Sequence, residues 1–393
     1  YRTKDYGTTW SRIVDENDVK SYTLSIVEDP INANLLFLGT DDGLYISLNA
    51  GNQWMKWTAG FPTVSTKDLV IQPREHDLVI GTFGRAAWVL DDIRPLRAMA
   101  NGNVLTKTLQ LFAPPTAYQA AYQQPTGSRF GGDALFNGEN KRSGAMISYY
   151  INRPAAAKEE KKEKETARKK KRKGTKKMEA PIVKKELASE VKFDSIKLEI
   201  FEGARLIRTL HQKAPKENGI HRMYWSMNEK GADRPSRKIR KRTNEPRGVS
   251  VKPGTYNLKM SFGNQTSESS IKVEFDPRLE MSTEAITEIY NASKDMEKDQ
   301  QLMADVVKQL VESKNTATAF KKDLTKEDKK NYKDQIKASK DIITKIDKLI
   351  AIYIGSVDKR QGITRNPEVT VSRRYSSARR YVGSRFGHLT TTE

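Results

Sequence analysis

Apolar residues recur along this chain in two rhythms. In the first hundred residues they form short runs: Leu36-Phe37-Leu38-Gly39-Thr40 returns 42 residues later as Leu78-Val79-Ile80-Gly81-Thr82. Ser25-Ile26-Val27-Glu28-Asp29-Pro30 precedes the first run much as Leu69-Val70-Ile71-Gln72-Pro73 precedes the second. Gly43-Leu44-Tyr45-Ile46-Ser47 follows the first, and Ala87-Trp88-Val89-Leu90 the second. Each unit predicts short β-strands separated by turns such as Asp42-Gly43. From Gly144 onward apolar and polar residues alternate: Ala145–Ile151, then Ile196, Leu198 and Ile200, then Met223, Trp225 and Met227. Tyr256, Leu258, Met260 and Phe262 follow the Pro253-Gly254 turn signal, and Ile271, Val273 and Phe275 end at Asp276-Pro277-Arg278. After residue 279 the period changes to that of a helix. Ile286, Ile289, Met296, Met303, Val306 and Leu310 mark one amphipathic helix over 283–314, capped by Ser282 or Thr283. Tyr332, Ile336, Ile343, Ile346 and Ile350 mark a second over 326–354, opened by Thr325 with Asp328 and ended by Gly355. Val369–His388 reads as the start of a third helix, with Tyr375 and Tyr381 facing inward.

Superimposed on the first period is a sharper motif. Thr3-Lys4-Asp5-Tyr6-Gly7-Thr8-Thr9-Trp10 has the form S/T-x-D-x-G-x-T-W. Ser47-Leu48-Asn49-Ala50-Gly51-Asn52-Gln53-Trp54 repeats it 44 residues later, with Asn for Asp and Gln for Thr. A short acid or amide closes a turn by accepting backbone N–H groups, glycine permits positive φ, and tryptophan buries a large ring. Asp5 and Asn49 therefore read as turn staples. Four short strands per unit of 40–45 residues is the size of a propeller blade. These residues resemble the Asp-box repeats of bacterial sialidase-like, xyloglucanase-like and sortilin-type propellers. The third unit runs Asp91-Asp92-Ile93-Arg94-Pro95 without the motif and resembles a degenerate closing blade.

The expected architecture is mainly β, then α. Residues 1–98 are read as the last two to three blades of a β-propeller and 99–143 as a linker. Residues 144–278 are read as a fibronectin- or immunoglobulin-like β-sandwich carrying a basic insertion over 155–190. Residues 279–393 are read as a helical hairpin and the beginning of a third helix. The order of the middle strands also resembles the C-terminal module of bacterial Asp-box proteins often labelled glycosyl hydrolases. Two to three blades do not close a ring, so further blades are expected upstream, in a longer polypeptide or in a separate chain.

Charge adds a second theme. The net charge is +21, and residues 158–185 hold 14 Lys/Arg against 5 Glu, a net of +9. Their centre is Arg168-Lys169-Lys170-Lys171-Arg172-Lys173. Such a run stays solvated. It is read as an expanded hairpin loop, with an electrostatic patch for polyanions or a nuclear address as alternatives. Arg237-Lys238-Ile239-Arg240-Lys241-Arg242 is a second cluster, and neither is interleaved with stacking aromatics. Cysteine is absent, which excludes disulfides, thiolate metal sites and cysteine nucleophiles. The four histidines, His76, His211, His221 and His388, lack metal-ligand spacing, and no cofactor is expected. No apolar run is long enough to cross a membrane.

Three functions stay open. The first is a binding or scaffold module that presents propeller loops to a protein, peptide or glycan. The resemblance implies it, and with it export to the periplasm, the outer cell surface or the medium. The second is a glycoside hydrolase, which requires two carboxyl groups about 5–10 Å apart. Asp41-Asp42 and Asp91-Asp92 are adjacent in sequence and point to opposite faces of a strand, so its catalytic carboxylates would lie upstream. The third is nucleic-acid binding through the basic runs.

Overall fold

The computed structural model describes residues 1–120, 141–154, 193–239, 244–357, 368–384 and 387–389. The order is mainly β, then α. Strands β1 (Thr23–Glu28), β2 (Leu36–Thr40), β3 (Gly43–Ser47) and β4 (Met55–Lys56) form an antiparallel meander. A second meander contains β5 (Thr66–Gln72), β6 (Asp77–Thr82) and β7 (Ala87–Leu90). The two recurring LxxGT-like runs are thus β2 and β6, the second strand of each sheet. Alternation decides how the first sheet is covered. Phe37, Leu44 and Ile46 face the second sheet, meeting Leu69, Leu78 and Ile80. Leu36, Leu38, Tyr45 and Trp54 face the other way, under Ile13, Val14 and Val19. Helix α1 (Arg94–Ala100), with Pro in its first turn, inserts Leu96 and Ala100 into the junction between the sheets.

The next stretch corrects the linker reading of 99–143. Its described part contributes β8 (Leu109–Leu111) and β9 (Ala117–Gln119). Three residues are too few to display period-two alternation, so neither strand is visible in the sequence. β8 is the edge of a three-stranded sheet with β10 (Ala145–Ile151) and β13 (Gly219–Trp225). β9 joins β17 (Gln265–Phe275) in parallel at the edge of a five-stranded sheet that continues through β16 (Gly254–Phe262), β11 (Ser195–Glu202) and β12 (Arg205–Lys213). Both sheets share one core. Ile147, Tyr149 and Trp225 from the first meet Ile196, Leu198, Leu258 and Met260 from the second, all at most 1% exposed. A two-stranded ribbon, β14 (Asn228–Lys230) and β15 (Arg247–Ser250), closes one end. The insertion read over 155–190, including Arg168–Lys173, lies outside the described residues.

The helices are longer than their periodicity implies. α2 (Thr283–Glu327) has 45 residues, about 68 Å at 1.5 Å per residue. Ser282 caps it, accepting the Ala285 amide at 3.1 Å. Lys321–Asp323, between the helix spans 283–314 and 326–354 read from the sequence, continue the helix, and the turn falls at 328–332. α3 (Lys333–Ile354) returns against it, burying Val307 and Val311 on Ile346 and Ile350, with Lys314 2.5 Å from Asp347. Gly355, with φ +80°, ends α3. α4 (Val371–Gly383) lies on α2 through Tyr375, whose hydroxyl donates to Met296 O at 2.8 Å. Tyr381 is 65% exposed, which corrects the inward placement expected for it.

Candidate functional site

Two turns in the first sheet region are built alike. In one, Thr3 Oγ1 accepts from the Gly7 amide at 2.7 Å and donates to Asp5 Oδ1 at 2.8 Å, and Asp5 Oδ1 accepts the Thr9 amide at 2.8 Å. In the other, Ser47 Oγ accepts from Gly51 N at 2.9 Å and donates to Asn49 Oδ1 at 3.0 Å, which accepts Gln53 N at 2.9 Å. Backbone angles repeat too: Tyr6 and Ala50 have φ of 56° and 59°, and Gly7 and Gly51 have 94° and 86°. The flanking residues pair in the same register, Arg2 with Ser11 and Ile46 with Met55. The left-handed pair of residues needs glycine second, which explains Gly7 and Gly51.

The turns also touch. Arg2 Nη1 donates to Ala50 O at 3.0 Å, and the Trp54 indole donates to Ile13 O at 2.7 Å. Trp54 is 8% exposed, whereas Trp10, bonded only within its own turn to Gly7 O, is 61% exposed. Both oxygens of Asp5 are engaged, because Thr9 Oγ1 donates to Oδ2 at 2.6 Å. The Thr9 hydroxyl, with the Thr9 amide and Thr3, lowers the Asp5 pKa to about 2. This carboxylate is a permanent acceptor at neutral pH and not a proton donor.

The junction between the two sheets is polar at its buried end. Asp29, 1% exposed, accepts Arg97 Nε at 2.7 Å and the amides of Ile31 and Asn32 at 2.9 and 2.8 Å. Arg97 Nη1 reaches His76 Nδ1 at 2.8 Å. Burial first, and then the Arg97 and Arg94 charges, lower the His76 pKa, so the imidazole is held neutral as an acceptor. His76 and Asp92 are both in the left-handed region, at φ 61° and 52°. Gly39 in β2 lies where the first sheet closely approaches β5 of the second. A Cβ there would lie 2.7 Å from Thr66 O and 2.3 Å from Ser25 Oγ. The outer face of the second sheet carries a row of paired valines, Val70–Val79–Val89, with Val70 and Val89 54% and 55% exposed.

The adjacent carboxylates have structural work. Asp42 accepts Lys56 Nζ at 2.7 Å and Thr40 Oγ1 at 2.8 Å. Asp92, 4% exposed, accepts Arg94 Nε at 2.5 Å, and its amide donates to Asp77 Oδ1 at 2.9 Å. Asp91 lies 3.7 Å from Lys141. His221 contacts Glu217 O and His388 contacts Glu288, both at 3.0 Å, and His211 is exposed on β12. Among the described residues no group of three or more His, Asp or Glu could hold a metal ion, and no helix is long and apolar enough to cross a membrane. In the second basic cluster the Arg237 guanidinium donates to Gly355 O, while Arg240–Arg242 lie outside the described residues.

Sequence reasoning missed Glu229, the centre of the largest ionic cluster described. It is 4% exposed and accepts Arg205 Nη2 at 2.8 Å, Tyr290 OH at 2.6 Å and Lys294 Nζ at 3.2 Å. The cluster clamps α2 onto β14. Its members come from three distant stretches, so no local spacing announces it. No protein family, no curated protein and no solved structure matches the chain.

Proposed function

We propose that this chain is the binding and scaffold portion of an exported Asp-box propeller protein that recognises a protein, peptide or glycan. In this reading the two meanders are neighbouring blades, residues 1–13 are the outer hairpin of the blade before them, and the two sheets sharing a core form a fibronectin-like sandwich that buttresses the ring. The observation that carries the reading is the second Asp-box turn, which reproduces the first in hydrogen bonds, φ and flanking register at a 44-residue offset. Further support comes from the surfaces left open. Trp10 lacks the neighbour that Trp54 has in Ile13, and the valine row leaves an apolar strip open on the second sheet. Both faces are proposed to meet additional blades.

A glycoside hydrolase is the weaker reading for these residues, because Asp42 and Asp92 are bound into ion pairs and turns. The test has two arms. A density map of the polypeptide as its source organism makes it is expected to show residues 1–98 within a ring of like sheets; a map with those sheets standing outside any ring overturns the architecture. Glycan and peptide arrays, read alongside a reducing-sugar assay, are expected to give retention without release. Sugar release, or no retention on either array, overturns the binding assignment.

A further inference from the structure

On one flank of the shared core, two strands end their sheets. β12 is bonded only to β11, and β13 only to β10. Between them lies a hollow of about 540 Å³, and a second of about 590 Å³, sharing Arg142, Tyr224 and Arg247 with it, continues the groove past β13 toward β9 and β15. Arg142, Arg208, Arg222 and Arg247 line it, against a single acid, Glu245. That acid is occupied: it accepts the Thr209 amide at 2.9 Å and lies 3.9 Å from Lys230. None of the four arginines is ion-paired with a described residue.

Arg208 is the telling member. It is 5% exposed, yet its guanidinium donates only to backbone carbonyls, those of Glu229, Glu245 and Pro246, and its Nε has no partner. Burial makes this charge costly, with the Glu245 carboxylate beside it as a partial offset, and a further anion in the groove lowers the cost. Arg142 takes a different post. It stacks 4.6 Å over the Tyr224 ring, covering the aromatic surface that a sugar or base would use and leaving Tyr118 at the far end. What the groove offers is therefore a set of cations beside two strands that end their sheets, β13 and, where Glu245 does not already take its Thr209 amide, β12. An extended acidic chain uses both, its carboxylates on the arginines and its backbone along an edge.

We propose that the β12–β13 seam is a docking groove for an acidic peptide segment bound in extended form. The proposal does not depend on the propeller reading or on Arg168–Lys173. The test uses the full 393-residue chain and fluorescence anisotropy with a labelled peptide of alternating Glu and Val. Three competitors are run beside it: the Gln counterpart, a version with proline at alternate positions, and a heparin oligosaccharide of equal charge. Binding at least tenfold tighter to the Glu peptide than to each competitor is expected. Arg142→Ala with Arg247→Ala, both exposed, is expected to weaken it at least tenfold. Replacing Arg168–Lys173 by serines is expected to leave it within twofold. Equal affinity for the proline version removes strand addition, preference for the oligosaccharide assigns the groove to glycans, and an unaffected double variant places binding elsewhere. Each of these overturns the proposal.

Discussion

Gly39 and Gly81 occupy the same place in the two repeats, and the structure gives them opposite neighbourhoods. A methyl at Gly39 would sit 2.7 Å from the Thr66 carbonyl and 2.3 Å from Ser25 Oγ. The carbonyl is backbone of β5 and cannot rotate away, so the sheets must part. A methyl at Gly81 would meet Asp68 atoms at 3.5–3.8 Å, an ordinary contact. Neither glycine has a positive φ, so alanine fits the backbone at both sites. Gly→Ala in a strand gains about 0.5–1 kcal/mol from the unfolded chain. Overpacking costs about 1–3 kcal/mol. Gly39→Ala is therefore expected to destabilise by about 1–2 kcal/mol and Gly81→Ala to be neutral or stabilising, a gap of about 2 kcal/mol. Urea unfolding followed by tryptophan fluorescence reads this, because three of the five tryptophans, Trp54, Trp57 and Trp88, lie in or pack against these sheets. The two variants are expected to differ in midpoint at unchanged slope. If Gly39→Ala unfolds at the same urea concentration as Gly81→Ala, the close approach at β2–β5 is not what fixes the sheets together.

Three further outcomes follow from the electrostatics. His76 titrates below its usual 6.5 in the folded chain, so the folded state binds fewer protons than the unfolded one. Thermal stability is expected to be flat above pH 6.5 and to fall as pH drops from there toward the folded pKa, with Arg97, Arg94, Asp92 and Asp29 the charges around it. His76→Gln is expected to flatten that decline in a calorimetric pH series. The Asp5 carboxyl is expected to titrate near pH 2 by NMR, its stabilisation present above the unfolded carboxylate range and lost as pH falls toward 2. Thr9→Val is expected to raise that midpoint. Glu229→Gln is expected to cost about 2–3 kcal/mol through weakened charge-assisted bonds to Arg205 and Lys294. Hydrogen exchange is expected to quicken over 283–301, and unchanged exchange there would remove the clamp role.

Much of the strand pattern was legible because its signals are local. The paired runs that became β2 and β6, the alternating Ala145–Ile151 of β10, and the Ser282 cap are each read within a few residues. What the sequence hid depends on distance or brevity. β8 and β9 are too short to alternate. Lys321–Asp323 look like a loop because they are polar, yet α2 carries them on a solvent-facing turn where packing never votes. Arg222 precedes the alternating Met223, Trp225 and Met227, and Arg208 lies in a strand, β12, that the sequence reading did not single out; only the hollow that both strands line turns them into one cationic seam. Gly39 is likewise indistinguishable from Gly81 until a second sheet is placed over one of them.

The 45 residues of α2 join two different neighbourhoods through one continuous backbone. Near its beginning Tyr290, Lys294 and Gln300 fasten it to β14 and the residues after it; farther on Val307 and Val311 carry α3. An unbroken rod of about 68 Å acts as a lever. A 5° tilt about Gln300, the last of these fastenings, displaces the far tip, about 40 Å away, by about 3.5 Å. Small angular changes where the ribbon grips the helix are thus delivered, magnified, to the turn at 328–332.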